Sequence, residues 1–156
     1  GCEQFIHIND GYYEDWPSFK RILGFEFAVN ALPYERIIDT TYTNPYGVEA
    51  TAKMQHLLHS FLERYAGKKL GIFCSNDDIA NLVEKQCIKL GIAIPGAIEL
   101  IGYDNSPVST SAVYPITSVE QNIPLIAQIA LDVLDNYKPY ESIVPARLVE
   151  KETTTS

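Results

Sequence analysis

Short apolar runs alternate along the chain with longer stretches in which apolar side chains recur at helical spacing. The short runs are rich in β-branched and aromatic residues, which is typical of strands. The first four predicted strands cover residues 4–8, 36–40, 69–74 and 98–103. Because these runs are mostly continuous in apolar character, the pattern predicts strands that are buried on both faces of a sheet.

Three helices are predicted between these strands, at about residues 15–32, 44–66 and 76–90. Pro33 stops the apolar repeat of the first helix, and Gly67 and Gly91 close the second and the third. Either Ser75 or Asn76 caps the third helix. This repetition of strand, helix and strand with short connections predicts an α/β fold with a three-layer, doubly wound parallel sheet.

The pattern changes after Tyr103. Residues 104–115 are predicted to form a loop, and residues 116–119 a short strand. A fourth helix is expected from Asn122 to about Tyr137. Residues 142–150 follow as an extended segment, in which Pro145 favours the edge of a sheet.

In open α/β sheets, ligands bind beyond the carboxyl ends of the strands. Polar groups follow the predicted strands at residues 42–44, 75–78 and 103–105, and Arg21 lies in the first helix. Carboxylate, amide and guanidinium groups with an aromatic ring suit a polyhydroxylated ligand, because they donate to, accept from and stack on it. The sequence therefore predicts a binding site at the strand ends.

Each of these residues also has a purely structural interpretation. Asp77 and Asp78 are in the place where acidic residues stabilise a helix N-terminus, and Asn76 is in the place of a helix cap. Asp104 follows a strand as turn residues do, and Arg21 has the position of a solvated helix residue. On spacing alone, both interpretations stay open.

Composition narrows the class of protein. The 156 residues are 46% hydrophobic, which is enough for one domain with a sizeable core. The formal net charge of -8 repels phosphate backbones, so this segment is not expected to bind nucleic acid by itself. No apolar stretch approaches a membrane span, and no signal peptide is recognisable. Cys2, Cys74 and Cys87 indicate a reducing compartment rather than a disulfide framework, and the latter two are expected to be buried.

Signs of catalysis are weak. The chain has no dinucleotide fingerprint, no P-loop, no nucleophile elbow and no H-E-x-x-H motif. His56, His59 and Glu63 share a helix face, without any recognised zinc spacing. An alternative in which Asp77, Asp78 and Asp104 hold Mg²⁺ for phosphoryl transfer remains, although no phosphate loop or nucleophile accompanies these acids. We expect neither an enzyme nor a cofactor.

A series of short motifs carries a resemblance to a known family. The series is RILGF (21–25), GIFCSNDDIA (71–80), LGIAIP (90–95), IELIGYDN (98–105), PITSVEQ (115–121) and LVEKETT (148–154). It resembles the effector domain of LacI/GalR transcription regulators, which shows RxxGF, xND, LGIxVP, ISVVGYDD, PPLTTVxQ and LVxRxST in this order. The matches cover most of the chain.

The resemblance implies that a small-molecule effector, a sugar or a purine, lies in a cleft between two lobes. It assigns effector contacts to Arg21, Asn76 and Asp104, a stacking ring to Tyr42, and a further polar contact to Gln121. Tyr42 is otherwise one of ten tyrosines, and Gln121 a structural hydrogen-bonding residue. Where the family often has a second aspartate after GYD, this chain has Asn105, which changes the local charge.

The resemblance also implies a division of the chain. Residues 1–104 resemble the C-terminal effector lobe, 105–138 a segment that crosses to the other lobe, and 139–156 the strand and tail that return. A DNA-binding headpiece, a hinge helix and most of the first lobe are expected outside this segment, so it is interpreted as a fragment of a cytoplasmic repressor that binds DNA only through that headpiece. An extracytoplasmic sugar-binding protein of the same fold is the alternative.

Two surfaces are predicted to associate. In the family, the helix at residues 78–90 is the expected surface for a homodimer. The apolar stripe of the crossing helix predicts self-association of this segment through residues 106–137.

Overall fold

A computed structural model describes residues 1–10, 17–38, 44–136 and 143–155. Strands and helices alternate in it as predicted. They are β1 (Gln4–Asn9), α1 (Pro17–Val29), β2 (Tyr34–Ile38), α2 (Val48–Arg64), β3 (Leu70–Cys74), α3 (Asp77–Leu90), β4 (Ile98–Tyr103), α4 (Pro107–Ser111), β5 (Thr117–Glu120), α5 (Ile123–Asn136) and β6 (Arg147–Val149).

The described strands form one six-stranded sheet in the order β2-β1-β3-β4-β5-β6. All neighbours are parallel except β5 and β6, which pair antiparallel. The predicted α/β class is therefore confirmed, and the segment after Pro145 does form an edge strand. The chain leaves β1 toward β2 on one side, whereas β3 lies on its other side, so the strand order reverses between β1 and β3. Such a reversal opens a crevice at the carboxyl ends of the strands.

One face of the sheet carries the main core. Strand residues such as Ile6, Ile8 and Leu100 pack there against α2 and α3. The fully buried residues of α2 are Ala50, Met54, Leu58 and Phe61, and those of α3 include Ile79, Val83 and Cys87. Because side chains alternate along a strand, the intervening residues point to the opposite face.

The opposite face is covered by α1. Phe25 of α1 lies with its ring centroid 5.1 Å from that of His7 and 5.9 Å from that of Phe73. Ile22 and Val29 of the same helix are buried. Helices therefore cover both faces of the sheet, which makes the three predicted layers.

Several element boundaries differ from the sequence prediction. Helix α1 ends at Val29, and Leu32 is 46% exposed because it lies beyond the helix. Val48 is 89% exposed at the first residue of α2, where it precedes the buried face. The loop predicted at 104–115 contains the short helix α4. Strand β2 begins at Tyr34, two residues early, and residues 39–40 of the prediction lie outside the described residues.

Helix α5 is present as predicted, but its apolar side chains are not buried. The large ones that are exposed are Ile123 (57%), Leu125 (41%), Ile126 (40%), Leu131 (57%) and Leu134 (67%). Among the described residues, no helix is both long enough and apolar enough to cross a membrane.

Candidate ligand-binding site

Arg21 joins the carboxyl ends of two neighbouring strands. One guanidinium nitrogen, Nη1, donates to the carbonyl oxygen of Ser75, directly after β3. The other, Nη2, lies 3.5 Å from Oδ1 of Asp104, directly after β4. The guanidinium carbon also lies 3.8 Å from the centre of the Tyr103 ring, in cation–π geometry. Arg21 is thus held in place by a carbonyl group, a carboxylate and an aromatic face.

Asp104 is the centre of the polar contacts at this edge. Its Oδ1 accepts a hydrogen bond of 2.7 Å from Nε2 of Gln121 in addition to the Arg21 contact. Its backbone has φ of 102°, which is unfavourable for a residue with a side chain, and its amide donates to Val119 at 2.8 Å. A backbone held in such a conformation costs roughly 1–3 kcal/mol and is enriched at functional sites.

A pocket of about 520 Å³ opens beside these groups. Its lining combines three aromatic rings with polar side chains, and consists of Lys20, Arg21, Gly24, Phe25, Phe73, Tyr103 and Gln121. A mostly apolar wall with a few converging polar groups is typical of a site for a small molecule.

The side chain of Asn76 makes two contacts: its oxygen caps α3, and its nitrogen binds a carboxylate at the strand ends. Its side-chain Oδ1 accepts from the backbone amide of Ile79 at 2.9 Å and so caps α3. Its Nδ2 donates to Oδ2 of Asp10 at 3.1 Å, while Ser75 Oγ donates to Oδ1 of Asp10 at 3.2 Å. The sequence pattern does not single out Asp10, because the first predicted strand ends at Ile8. The signal that could have identified Asp10 is its position, since it is a carboxylate directly after β1.

Asp77 has a structural role. It is buried and accepts hydrogen bonds of 2.6 Å from Ser118 Oγ and from the amide of Ser106. A Cβ on Gly102 would lie 2.3 Å from its Oδ1, so only glycine lets this carboxylate approach β4. Asp77 and Gly102 therefore explain physically why the motifs at 71–80 and 98–105 occur together. Asp78 has a different partner, because its Oδ1 accepts a hydrogen bond from Tyr46 Oη.

Asn105 turns toward the sheet edge rather than toward Arg21. Its Nδ2 donates to Glu120 Oε1 at 2.9 Å, and its Oδ1 accepts from Lys151 Nζ at 2.7 Å. The amide that replaces the family's second aspartate thus binds one acidic and one basic neighbour. An ionised carboxylate could not bind both, because its two oxygens only accept hydrogen bonds.

The structure brings three predicted site residues, Arg21, Asp104 and Gln121, into direct contact. Asn76 adjoins them through Ser75, whose carbonyl group binds Arg21. Tyr42 lies outside the described residues. The part of each residue in ligand binding stays a prediction.

The acidic residues and the buried cysteines considered for catalysis have the surroundings of structural groups. Asp77, Asp78 and Asp104 bind different partners, and within the described ranges no three His, Cys, Asp or Glu residues are placed to share a metal ion. Burial raises the pKa of the Cys74 thiol well above its ordinary value and that of Cys87 to about 12, so neither is an activated nucleophile. Both are free and buried, as predicted.

His7 packs against two aromatic rings that line the pocket, those of Phe25 and Phe73. It is fully buried, its ring centroid is 5.0 Å from that of Phe73, and neither ring nitrogen has a hydrogen-bond partner among the described residues. Burial lowers the pKa of His7 to about 4, with Arg36 and Arg21 contributing in the same direction. The imidazole is therefore neutral near pH 7.

Comparison with known proteins agrees with this architecture. The family model of periplasmic binding protein-like domains matches residues 1–154. The chain therefore belongs to the periplasmic binding protein-like domain family.

Curated relatives narrow the class. The chain is 29% identical to the ribose operon repressor of Halalkalibacterium halodurans, over 99% of the chain and 46% of the repressor. It is 33% identical to the sucrose operon repressor of Streptococcus mutans, over 98% of the chain and 46% of the repressor. The predicted resemblance to LacI/GalR regulators is thereby confirmed, and the chain spans about half the length of these relatives.

A solved structure shows the same fold. The Lac repressor dimer bound to operator and the anti-inducer ONPF superimposes with a TM-score of 0.73, at 20% identity, over the whole of this chain and 47% of the repressor chain.

Proposed function

We propose that this chain is the effector-sensing lobe of a transcription regulator. It binds a small molecule, a sugar in the first place and a purine otherwise, at the carboxyl ends of β1, β3 and β4, and performs no catalysis. The observation that carries the proposal is the convergence of Arg21, Asp104 and Gln121 beside an aromatic pocket. The names of the ribose and sucrose operon repressors support a sugar.

The mechanism follows from the position of the site at one edge of the lobe. Only one wall of a cleft is built from the described residues, and we propose that a second lobe supplies the other. An effector that touches both walls favours one relative arrangement of the lobes, by as much as its affinities for the two arrangements differ. In the proposed regulator this shift controls operator binding by a cytoplasmic homodimer, through a headpiece outside residues 1–156.

The division of the chain is part of this proposal, and the exposure of α5 supports it. Residues 1–104 and 139–156 form the lobe with its returning edge strand, and 105–138 lead to the second lobe, after β5 has paired with β4 and β6 in the sheet of this lobe. Helix α5 lies in the crossing segment, and its exposed apolar side chains are then covered in the full-length protein. Without that cover we expect the isolated segment to self-associate through 106–137, and a purely monomeric mass by light scattering at high concentration would contradict this.

The proposed dimer surface is narrower than a whole helix. Most of α3 is buried within the lobe, and its exposed large apolar residue is Ile88 (41%). Tyr114, whose amide donates to Glu84 of α3, and Val113 next to it extend the exposed apolar surface. We therefore place the dimer contact at this end of α3 and at residues 113–114.

A thermal-shift screen of the full-length protein against sugars, sugar phosphates and purines tests the proposal. A ligand that binds the native state raises the Tm by mass action. Arg21→Ala should abolish the ligand-induced shift, whereas Arg64→Ala, which removes an exposed ion pair between α2 and Glu35 of β2, should retain it. A shift that is indifferent to Arg21 would remove this site, and the absence of any shift would leave only the fold.

A further inference from the structure

The reversal of strand order places two polar segments side by side. Asp10 follows β1, and Ser75 and Asn76 follow β3, which is the position where doubly wound sheets bind their ligands. Ser75 connects Asp10 to the predicted site, because its hydroxyl donates to Asp10 while its carbonyl oxygen accepts from Arg21. A single residue, Ser75, therefore links Asp10 to the guanidinium group of Arg21, although no motif of the sequence singles out Asp10.

The hydrogen bonds of Asp10 define what it offers a ligand. Ser75 and Asn76 each occupy one acceptor position, on different oxygens, and a carboxylate has about four. The same contact orients the Asn76 amide, whose nitrogen binds Asp10 and whose oxygen caps α3. The lone pairs of Asp10 that no described residue is seen to occupy suit a donor, such as a sugar hydroxyl group.

The charges nearby disfavour an anionic ligand. Asp10 and Asp104 contribute two carboxylates, and Arg21 is already engaged by Asp104, by the Ser75 carbonyl group and by the Tyr103 ring. Lys20, which is exposed, is the other cation of the pocket lining. The phosphate group of a sugar phosphate carries about -1.5 to -2 charge at pH 7 and offers acceptor oxygens, so this group is repelled by the carboxylates and does not donate to them.

Resting on the proposed function, we propose that Asp10 determines specificity at this site: its carboxylate accepts hydrogen bonds from a neutral sugar and excludes phosphorylated sugars. Replacing it by asparagine keeps the shape and one acceptor oxygen but removes the charge. The charge-assisted hydrogen bond is lost, and so is the repulsion of phosphate.

Isothermal titration of the full-length protein tests this with two probe pairs, ribose with ribose 5-phosphate and sucrose with sucrose 6-phosphate. We expect Asp10→Asn to weaken binding of the neutral sugar by about tenfold or more. The Kd of the phosphate ester divided by the Kd of the neutral sugar should also fall. The factor by which it falls should be larger than the factor by which binding of the neutral sugar weakens, because the phosphate ester gains affinity. Glu63→Gln, which removes one exposed carboxylate on α2, should change neither value.

The outcomes separate this inference from the function on which it rests. If the wild type binds a neutral sugar and Arg21→Ala abolishes binding, but Asp10→Asn leaves the ratio unchanged or weakens both ligands equally, the specificity role of Asp10 is wrong. If the wild type prefers the phosphate ester, it is wrong as well. If the wild type binds none of the four probes, a sugar effector of these types fails first, and the role of Asp10 fails with it. The Tm of Asp10→Asn, compared with that of the wild type, distinguishes a folding defect from a change in specificity.

Discussion

Helices α3 and α5 are alike locally and opposite in their surroundings. Each has 14 residues, and each begins at an asparagine whose side-chain oxygen accepts from a backbone amide three residues on, Asn76 from Ile79 and Asn122 from Leu125. Yet α3 buries most of its side chains, whereas the large apolar residues of α5 are mostly exposed. Amphipathic spacing thus predicts that a helix forms and which side chains seek cover, but not what covers them.

Truncation of one leucine in each helix tests the contrast most directly. Leu82→Ala in α3 should lower the free energy of unfolding by about 2–5 kcal/mol, since Leu82 is only 4% exposed and its removal leaves a cavity. Leu134→Ala in α5 should change it by less than about 0.5 kcal/mol, because Leu134 is 67% exposed. Urea unfolding of the 156-residue chain at low concentration measures both. Equal losses would show that α5 has a partner surface within this chain.

Acid titration extends the contrast to the face covered by α1. Above pH 6.5, His7 is neutral in the folded and the unfolded chain, so its contribution to stability is constant. Between pH 6.5 and about 4 only the unfolded chain takes up the proton, because burial lowers the pKa of folded His7 to about 4. The free energy of unfolding should fall by at most about 3 kcal/mol over this window and lose nothing more from His7 below it.

His7→Phe keeps the aromatic stack with Phe25 and Phe73 and removes the titrating group. Denaturant unfolding at several pH values should show a flatter profile than that of the wild type. A profile that stays parallel to that of the wild type through pH 4 to 6.5 would assign the acid sensitivity to other groups.

A methyl group at Gly102 should disturb the contacts of Asp77, which hold the start of α3 against β4, without changing the apolar face of α3. Gly102→Ala places a Cβ 2.3 Å from Oδ1 of buried Asp77, and we expect a loss of about 2 kcal/mol, within the range for overpacking. Gly24→Ala in α1 is the matched control, since its Cβ meets no atom within 4 Å and alanine favours helix. Thermal unfolding of both variants measures the difference, and a neutral Gly102→Ala would mean that Asp77 has room to move.

The smallest expected effect concerns the two caps. Asn76→Ala should cost about 1 kcal/mol, because α3 is integral to the cooperative fold. The equivalent change at Asn122 should leave global unfolding nearly unchanged and instead speed amide exchange in α5, since the exposed apolar side chains of α5 predict that this helix opens locally. Hydrogen exchange with urea unfolding separates the two. An equal loss in the free energy of unfolding on replacing Asn122 would show that α5 unfolds together with the rest of the domain.

The sequence predicted most of the elements because their signals are local. Gly67 and Gly91 follow α2 and α3 closely, and Gly91 adopts the left-handed conformation at the end of α3. The short helix α4 was missed because five residues give no periodicity. Of the site, Arg21, Asp104 and Gln121 came from motifs, whereas Asp10 depends on which strands become neighbours, and that is a property of the sheet rather than of any local segment.

The hydrogen bond between Gln121 and Asp104 has a mechanical consequence. Gln121 lies two residues before α5 begins, so this hydrogen bond ties the start of α5 to the wall of the pocket. A rotation of α5 about residues 121–122 would lengthen or shorten the bond, and a ligand that hydrogen-bonds to Asp104 in place of Gln121 would break it. The start of α5 is thus mechanically coupled to the pocket wall.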